Sequence, residues 1–288
     1  MKFAFKKELM YFSRTFRLFG VVFAILIISL FDPLTYKGMM LFMDFAGEQL
    51  EQSGFSVTEG QNGVTVSEGE GTNPFASLTE IYDSLRAPEI ASAAVSDFTS
   101  TSALILFLVL MQPAGGEQKK RSTILPLCAG LTPIRYIVPK FVIYPLTAFL
   151  SSLIALPLCA GISVFLFGGE ISFINSLAAG AMVGLYLAFL IVIELTLGIC
   201  TARPGLAAIF TILGSQLLPT VLALFRINRF NPFVLPELAS GFLGGEVGTL
   251  NLWVSVGVTV VIGVILFFTT LLTQTARRID NSGNEPVL

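Results

Sequence analysis

Residues Glu117–Lys140 read EQKKRSTILPLCAGLTPIRYIVPK. Five basic residues (Lys119, Lys120, Arg121, Arg135 and Lys140) and three prolines crowd into this island, and long uncharged runs flank it. Phe98–Gly116 lies upstream, and Phe141–Gly169, Ile171–Ile193, Pro204–Phe225 and Val247–Ala276 lie downstream. Each approaches or exceeds the ~20 apolar residues that a bilayer-spanning helix needs. Leu18–Phe31 is a sixth, shorter run that borrows length from the apolar face before it. Hydrophobic residues make up 54% of the chain and charged residues 12%, against about 25% charged in a soluble domain. A water-soluble core could not hide six such helices. The expected fold is all-α and polytopic: six transmembrane helices in a single transmembrane domain, residues 1–288.

Lysine and arginine set the orientation, because loops rich in them resist translocation. With the amino terminus in the cytosol and six spans threaded, 13 of 17 basic residues fall inside. The outside keeps Lys37, Arg86, Arg226 and Arg229. Acids sort the other way, 14 of 19 outside and four inside, with Glu194 within a span. The expectation is a multi-pass protein of the cytoplasmic (plasma) membrane with both termini cytosolic. The island is then a cytosolic loop. Lys2, Lys6, Lys7, Arg14 and Arg17 ahead of an apolar run have the charge of a secretory leader. FDPLTYKG follows that run where a small-residue cleavage site would stand, so it reads as an uncleaved first span.

Phe5, Leu9, Phe12, Phe16 and Phe19 recur at alternating spacings of four and three, which is one face of a helix. Lys6, Ser13, Arg14 and Arg17 take the other side. Residues 1–17 are expected to form an interfacial elbow helix, aromatics toward lipid and cations toward anionic headgroups. The plainer reading is the frayed start of span one. Residues 32–97 form an acidic extracytoplasmic segment with 11 acids against two bases. Its Gly-rich middle reads as loop with a short hairpin, flanked by helices leading out of span one and into span two. Residues 226–251, RINRFNPFVLPELASGFLGGEVGTLN, mix prolines, glycines and short apolar pieces, which suits outer half-helices that dip at the membrane face.

The chain has no histidine, which removes the commonest general base and metal ligand together. Cys128, Cys159 and Cys200 are not spaced as metal ligands. Within the island, Ser122 and Thr123 can cap a short helix through Leu131. Thr132 with Pro133 at the first turn starts a second helix, and Pro139 is expected to kink the path into span three. The first helix exposes Ile124, Leu125, Leu127 and Leu131, a face that needs lipid or a protein groove against it.

KKELMYFSRTFR at Lys6–Arg17 and the island itself resemble the type-2 ATP-binding-cassette (ABC) exporter permeases. Members have six spans, an amphipathic elbow helix often written K-E-L…R, and a first cytosolic loop patterned E-x-x-x-G-T…L-L…P-x-x-R…G-K. Glu117, Thr123, Leu125, Leu127, Pro133, Arg135 and Lys140 match in order. Ser122 stands where the family usually has glycine, and Pro139 where it has glycine before the lysine. The resemblance in layout covers almost the whole chain; in motif it is confined to these two stretches. It implies a coupling helix at Ser122–Leu131, within a coupling loop over 117–140, docking in a groove of a separate ABC ATPase subunit. Glu117, Ser122, Thr123, Leu125, Leu127, Leu131, Pro133 and Arg135 would form that docking site. It also implies a second permease copy or a sister permease as partner. ATP and Mg would sit on the ATPase, with no cofactor in this chain. Membrane lipid surrounds the spans, and no nucleic acid is involved.

The residues supply a check of their own. A phosphate cradle, G-x-x-x-x-G-K-[ST], needs a lysine after a glycine, and none of the seven lysines follows one. The chain is therefore expected to be a transport subunit and not itself an enzyme. Glu194, in FLIVIELTLGIC, is an acid inside an apolar span, where a carboxyl is costly and faces the bundle or a water path. It is a substrate-path candidate for a cation or a proton, or else a structural acid. Three functions follow: the permease subunit of an ABC exporter, an ion-gradient-driven secondary transporter, or an intramembrane lipid enzyme. The last would need a cluster of Asp, His or Ser/Lys groups near the spans, which the sequence lacks. A Phe-rich interior tilts the exported substrate toward the hydrophobic or amphipathic.

Overall fold

Phe173–Thr201 joins 29 residues without a proline or a charge other than Glu194. This helix is the hub of the bundle, and 67% of its apolar window is buried against 17–22% for the most peripheral spans. In a computed structural model the chain is described over residues 2–14, 17–53, 55–60, 63–68, 85–116, 132–225, 231–244 and 249–283. In chain order the helices are α1 (Lys2–Arg14), α2 (Arg17–Ser53), α3 (Ala87–Leu110), α4 (Pro133–Phe167), α5 (Phe173–Thr201), α6 (Pro204–Leu224), α7 (Leu235–Gly244) and α8 (Thr249–Gly283). A two-stranded antiparallel hairpin, β1 (Phe55–Gly60) with β2 (Gly63–Glu68), follows α2, and Val57 pairs with Val66. Six helices, all but α1 and α7, are long and apolar enough to cross a membrane.

Small residues let α5 reach its neighbours. Gly180 and Gly184, one turn apart, lie against α4, where a methyl on Gly184 would come within 2.9 Å of the Phe149 carbonyl. Small residues at this spacing allow backbones to approach where lipid gives helices no hydrophobic reason to associate. α7 packs between α3 and α5, while α2 leans on α3 and α4.

The distribution of polarity is inverted relative to a soluble domain. α8 turns Ser255, Thr259 and Thr270 inward, and points Val261, Ile265, Phe268 and Leu272 outward. α6 likewise buries Thr211 and Ser215 and exposes Phe210, Leu213 and Leu217. Inward hydroxyls cost little where they bond their own helix: Thr211 donates to the Ala207 carbonyl at 2.8 Å and Thr259 to Ser255 at 2.7 Å. Such a surface suits a chain whose solvent is hydrocarbon.

Several boundaries differ from the sequence reading. The first apolar run does not end at Phe31. α2 continues through Asp32 and Pro33 to Ser53, because one proline removes a single backbone bond and neighbouring groups re-satisfy it. α3 starts at Ala87 instead of Phe98, with the Arg86 amide donating to Glu89 Oε2 at 3.0 Å to fix its first turn. Asp32 and Asp97 thus sit inside the helices expected to lead out of the first apolar run and into the second. The second island helix is not a separate piece: α4 runs unbroken through Pro139, Pro145 and Pro157.

Candidate functional site

Residues 117–131, the centre of the sequence-based site, lie outside the described residues; with them go Glu117, Ser122, Thr123, Leu125, Leu127 and Leu131. What the structure gives is how the two ends of that stretch are held. Upstream, α3 runs into a kinked turn, Gln112–Gly116, whose residues Pro113–Gly116 are buried. Gly115 has φ 126°, a conformation that suits glycine alone, and its backbone meets that of Gly198 on α5. A methyl on Gly198 would run into the Ala114 carbonyl. Two glycines thus press the end of α3 directly onto the hub helix.

Downstream, Thr132 caps α4. Its hydroxyl oxygen accepts the Arg135 amide at 3.4 Å, and Pro133 occupies the first turn, as the sequence required. Arg135 itself points outward. Two turns further on, Lys140 is fully buried and donates to Glu8 Oε1 of α1 at 3.0 Å. Tyr144 donates to the same oxygen at 2.7 Å. Lys140 also lies 5.1 Å from the centre of the Tyr136 ring, and Phe12 stands edge-on to Tyr144 at 4.8 Å.

This corrects the reading of α1. Of the five-residue face expected toward lipid, Phe5 and Phe12 instead pack inward beside Glu8, while Leu9 and, on α2, Phe19 face outward. Pairing with Lys140 sets that rotation. Arg14 is exposed, Arg17 stacks 5.8 Å from the Tyr11 ring, and Phe16 lies outside the described residues. Lys140, one of the five basic residues of the island, belongs to the interior.

Deeper in the bundle, Glu194 is fully buried and neither carboxyl oxygen has a hydrogen-bond partner among the described residues. It lies one turn before Gly198 on the same face of α5. Nearby stretches of α5 are stitched to α8: Thr270 donates to Thr196 at 3.2 Å and Gln274 to the Ile199 carbonyl at 3.2 Å.

At the opposite end the segment after α6 turns back into the bundle. Asn231 caps a short 3-10 turn, accepting the Phe233 amide at 2.9 Å. Phe233 then stands edge-on to Tyr186 and Phe189 at 6.1 and 6.0 Å. Tyr186 is near the midpoint of α5, so α7 begins beside the middle of the hub helix and rises from there. A cleft of about 310 Å³ opens between α2 and α3, lined by Ile27, Ile28, Phe31, Asp32, Asp97 and Thr101. Nothing local in the sequence signals this meeting of two carboxyls, which lie 65 residues apart at the two ends of the acidic segment. Among the described residues no group of His, Cys, Asp and Glu could hold a metal ion.

Compared with protein families, curated proteins and solved structures, the chain matches none.

Proposed function

We propose that the chain is the membrane permease subunit of an ABC exporter, moving a hydrophobic or amphipathic substrate outward with ATP hydrolysed by a separate subunit. One observation carries the reading. Residues 117–131, which carry most of the coupling-loop motif, lie between two fixed points: the glycine contact of Gly115 with Gly198, and the Thr132-capped start of α4. A segment that receives a push must be held at both ends, or the push is lost in its own bending. α1 corresponds to the interfacial elbow, residues 117–131 to the coupling helix, and the segment 231–244 to an outer gate. The motor is a partner because the chain lacks a phosphate loop. In this reading two permeases pair, with both termini and the island cytosolic.

A second reading, transport driven by an ion gradient, draws on the unpartnered carboxyl of Glu194. A single such group is thin equipment for it, because gradient-driven carriers place several polar groups at a midplane site between repeated halves.

The test is biochemical. The purified chain is expected to hydrolyse no ATP and to co-purify with an ABC ATPase when the two are co-expressed. Leu125→Asp with Leu127→Asp would bury unpaired charge at the docking face, at a cost of several kcal/mol. ATPase recovery with that variant should fall to background while membrane insertion is unchanged. Full ATPase binding and transport by the double variant would sink the reading.

A further inference from the structure

Glu8, Lys140 and Tyr144 form a buried polar cluster that the proposed transport function does not by itself require. Lys140 and Tyr144 are 0% and 2% exposed and Glu8 is 9% exposed, and one carboxylate oxygen accepts from both donors. The ion pair is the costly way to join two helices, because apolar side chains of similar volume often serve as well or better. What an ion pair adds is a single register: the carboxylate can be satisfied at one place only.

The surroundings give the cluster a mechanical meaning. α1 packs on both α4 and α2, with the Glu8–Lys140 ion pair going to α4, and the outward residues Phe3, Leu9 and Met10 are exposed. α4 is one continuous helix from Pro133, and Lys140 lies two turns past its Thr132 cap. Sliding α1 along α4 would separate the charges with no water to receive them. Moving the two helices together leaves the cluster intact. We infer that the Glu8–Lys140–Tyr144 cluster is a latch that makes α1 follow the first turns of α4 as one body. Any displacement delivered to the start of α4 is thereby shared with α1, and through α1 with the membrane surface around it. The latch stands on geometry alone; only the origin of the displacement, at residues 117–131, rests on the permease reading.

Spin labels at cysteines replacing Met10 on α1 and Val142 on α4, both outward-facing, report the distance between the helices. The native cysteines are replaced by alanine. The chain is measured alone in lipid vesicles and then with a co-expressed ATPase, with and without ATP. The latch requires one narrow distance distribution that stays the same in all three conditions. Lys140→Met strands the carboxylate and should broaden the distribution by roughly twofold or more, while Glu8→Gln with Lys140→Met, neutral on both sides, should restore much of the narrow width as coupled pairs do. A narrow distribution in Lys140→Met alone, or an α1–α4 distance that shifts with ATP in the parent, overturns the latch. Failure of any ATPase to associate overturns the permease reading instead and leaves the measurement on the chain alone valid.

Discussion

Glu194 holds two carboxyl oxygens with no hydrogen-bond partner among the described residues, and it is sealed from its surroundings. Such a group costs on the order of 1–3 kcal/mol, a cost that an apolar side chain of the same shape avoids. Glu194→Leu is therefore expected to unfold in detergent at or above the parent's temperature, with about 2–4 °C gained for each kcal/mol recovered. Glu194→Gln should unfold close to the parent. A Leu variant that is stable but no longer supports transport places the carboxyl on the path of substrate or ion; a marked loss of stability in both variants reveals a structural role. This acid was legible in the sequence because a charge stands out in an apolar run. Glu8 and Lys140 were not. They lie 132 residues apart, and each reads locally as one more charge among its neighbours. Only the packing of α1 on α4 reveals that they face each other away from water.

Among the elements, the contact between the kinked turn and α5 is the tightest constraint. Gly198→Ala puts a methyl where the Ala114 carbonyl lies, and overpacking of this kind costs about 1–3 kcal/mol or more. Gly161, on α4, has open space around the same position, and alanine there gains up to about 1 kcal/mol of helix propensity. Thermal unfolding should accordingly fall by several degrees for Gly198→Ala and hold or rise for Gly161→Ala. Equal behaviour of the two variants would mean that the end of α3 is not pressed onto α5. All six helices long and apolar enough to cross a membrane were visible as apolar runs, and the Thr132–Pro133 start of α4 was visible as a capping signal. Their limits were less so. Asp32 and Pro33 end the apolar run, yet α2 continues past both without a break. Local breakers lose to a long helix whose remaining bonds are intact. Gly115 and Gly198 could not be singled out among 26 glycines, since nothing local tells a packing glycine from a turn glycine.

At the scale of the whole molecule, the inward hydroxyls and outward aliphatics make lipid the natural solvent, and the charge split makes the orientation testable. Threading six spans from a cytosolic amino terminus would put 13 of the 17 basic residues on one side, and the positive-inside rule then predicts that side to be cytosolic. A cysteine at Gly63 should react with an impermeant thiol reagent in intact cells and one at Gln118 should not. Labelling in the reverse order inverts the entire arrangement. One helix gives the bundle an unusual geometry. α2 has 37 residues, which at 1.5 Å per residue is about 55 Å, whereas the hydrocarbon core is about 30 Å thick. Its far end joins the β1–β2 hairpin, and its near end adjoins α1. A rod of that length, pivoting at its α1 end, is a lever about 25 Å longer than the hydrocarbon is thick. A tilt of about 10° carries the far end through about 10 Å, while points near the pivot move by an ångström or less. The hairpin is thus a dial on which movements too small to follow among the packed helices are read at large scale.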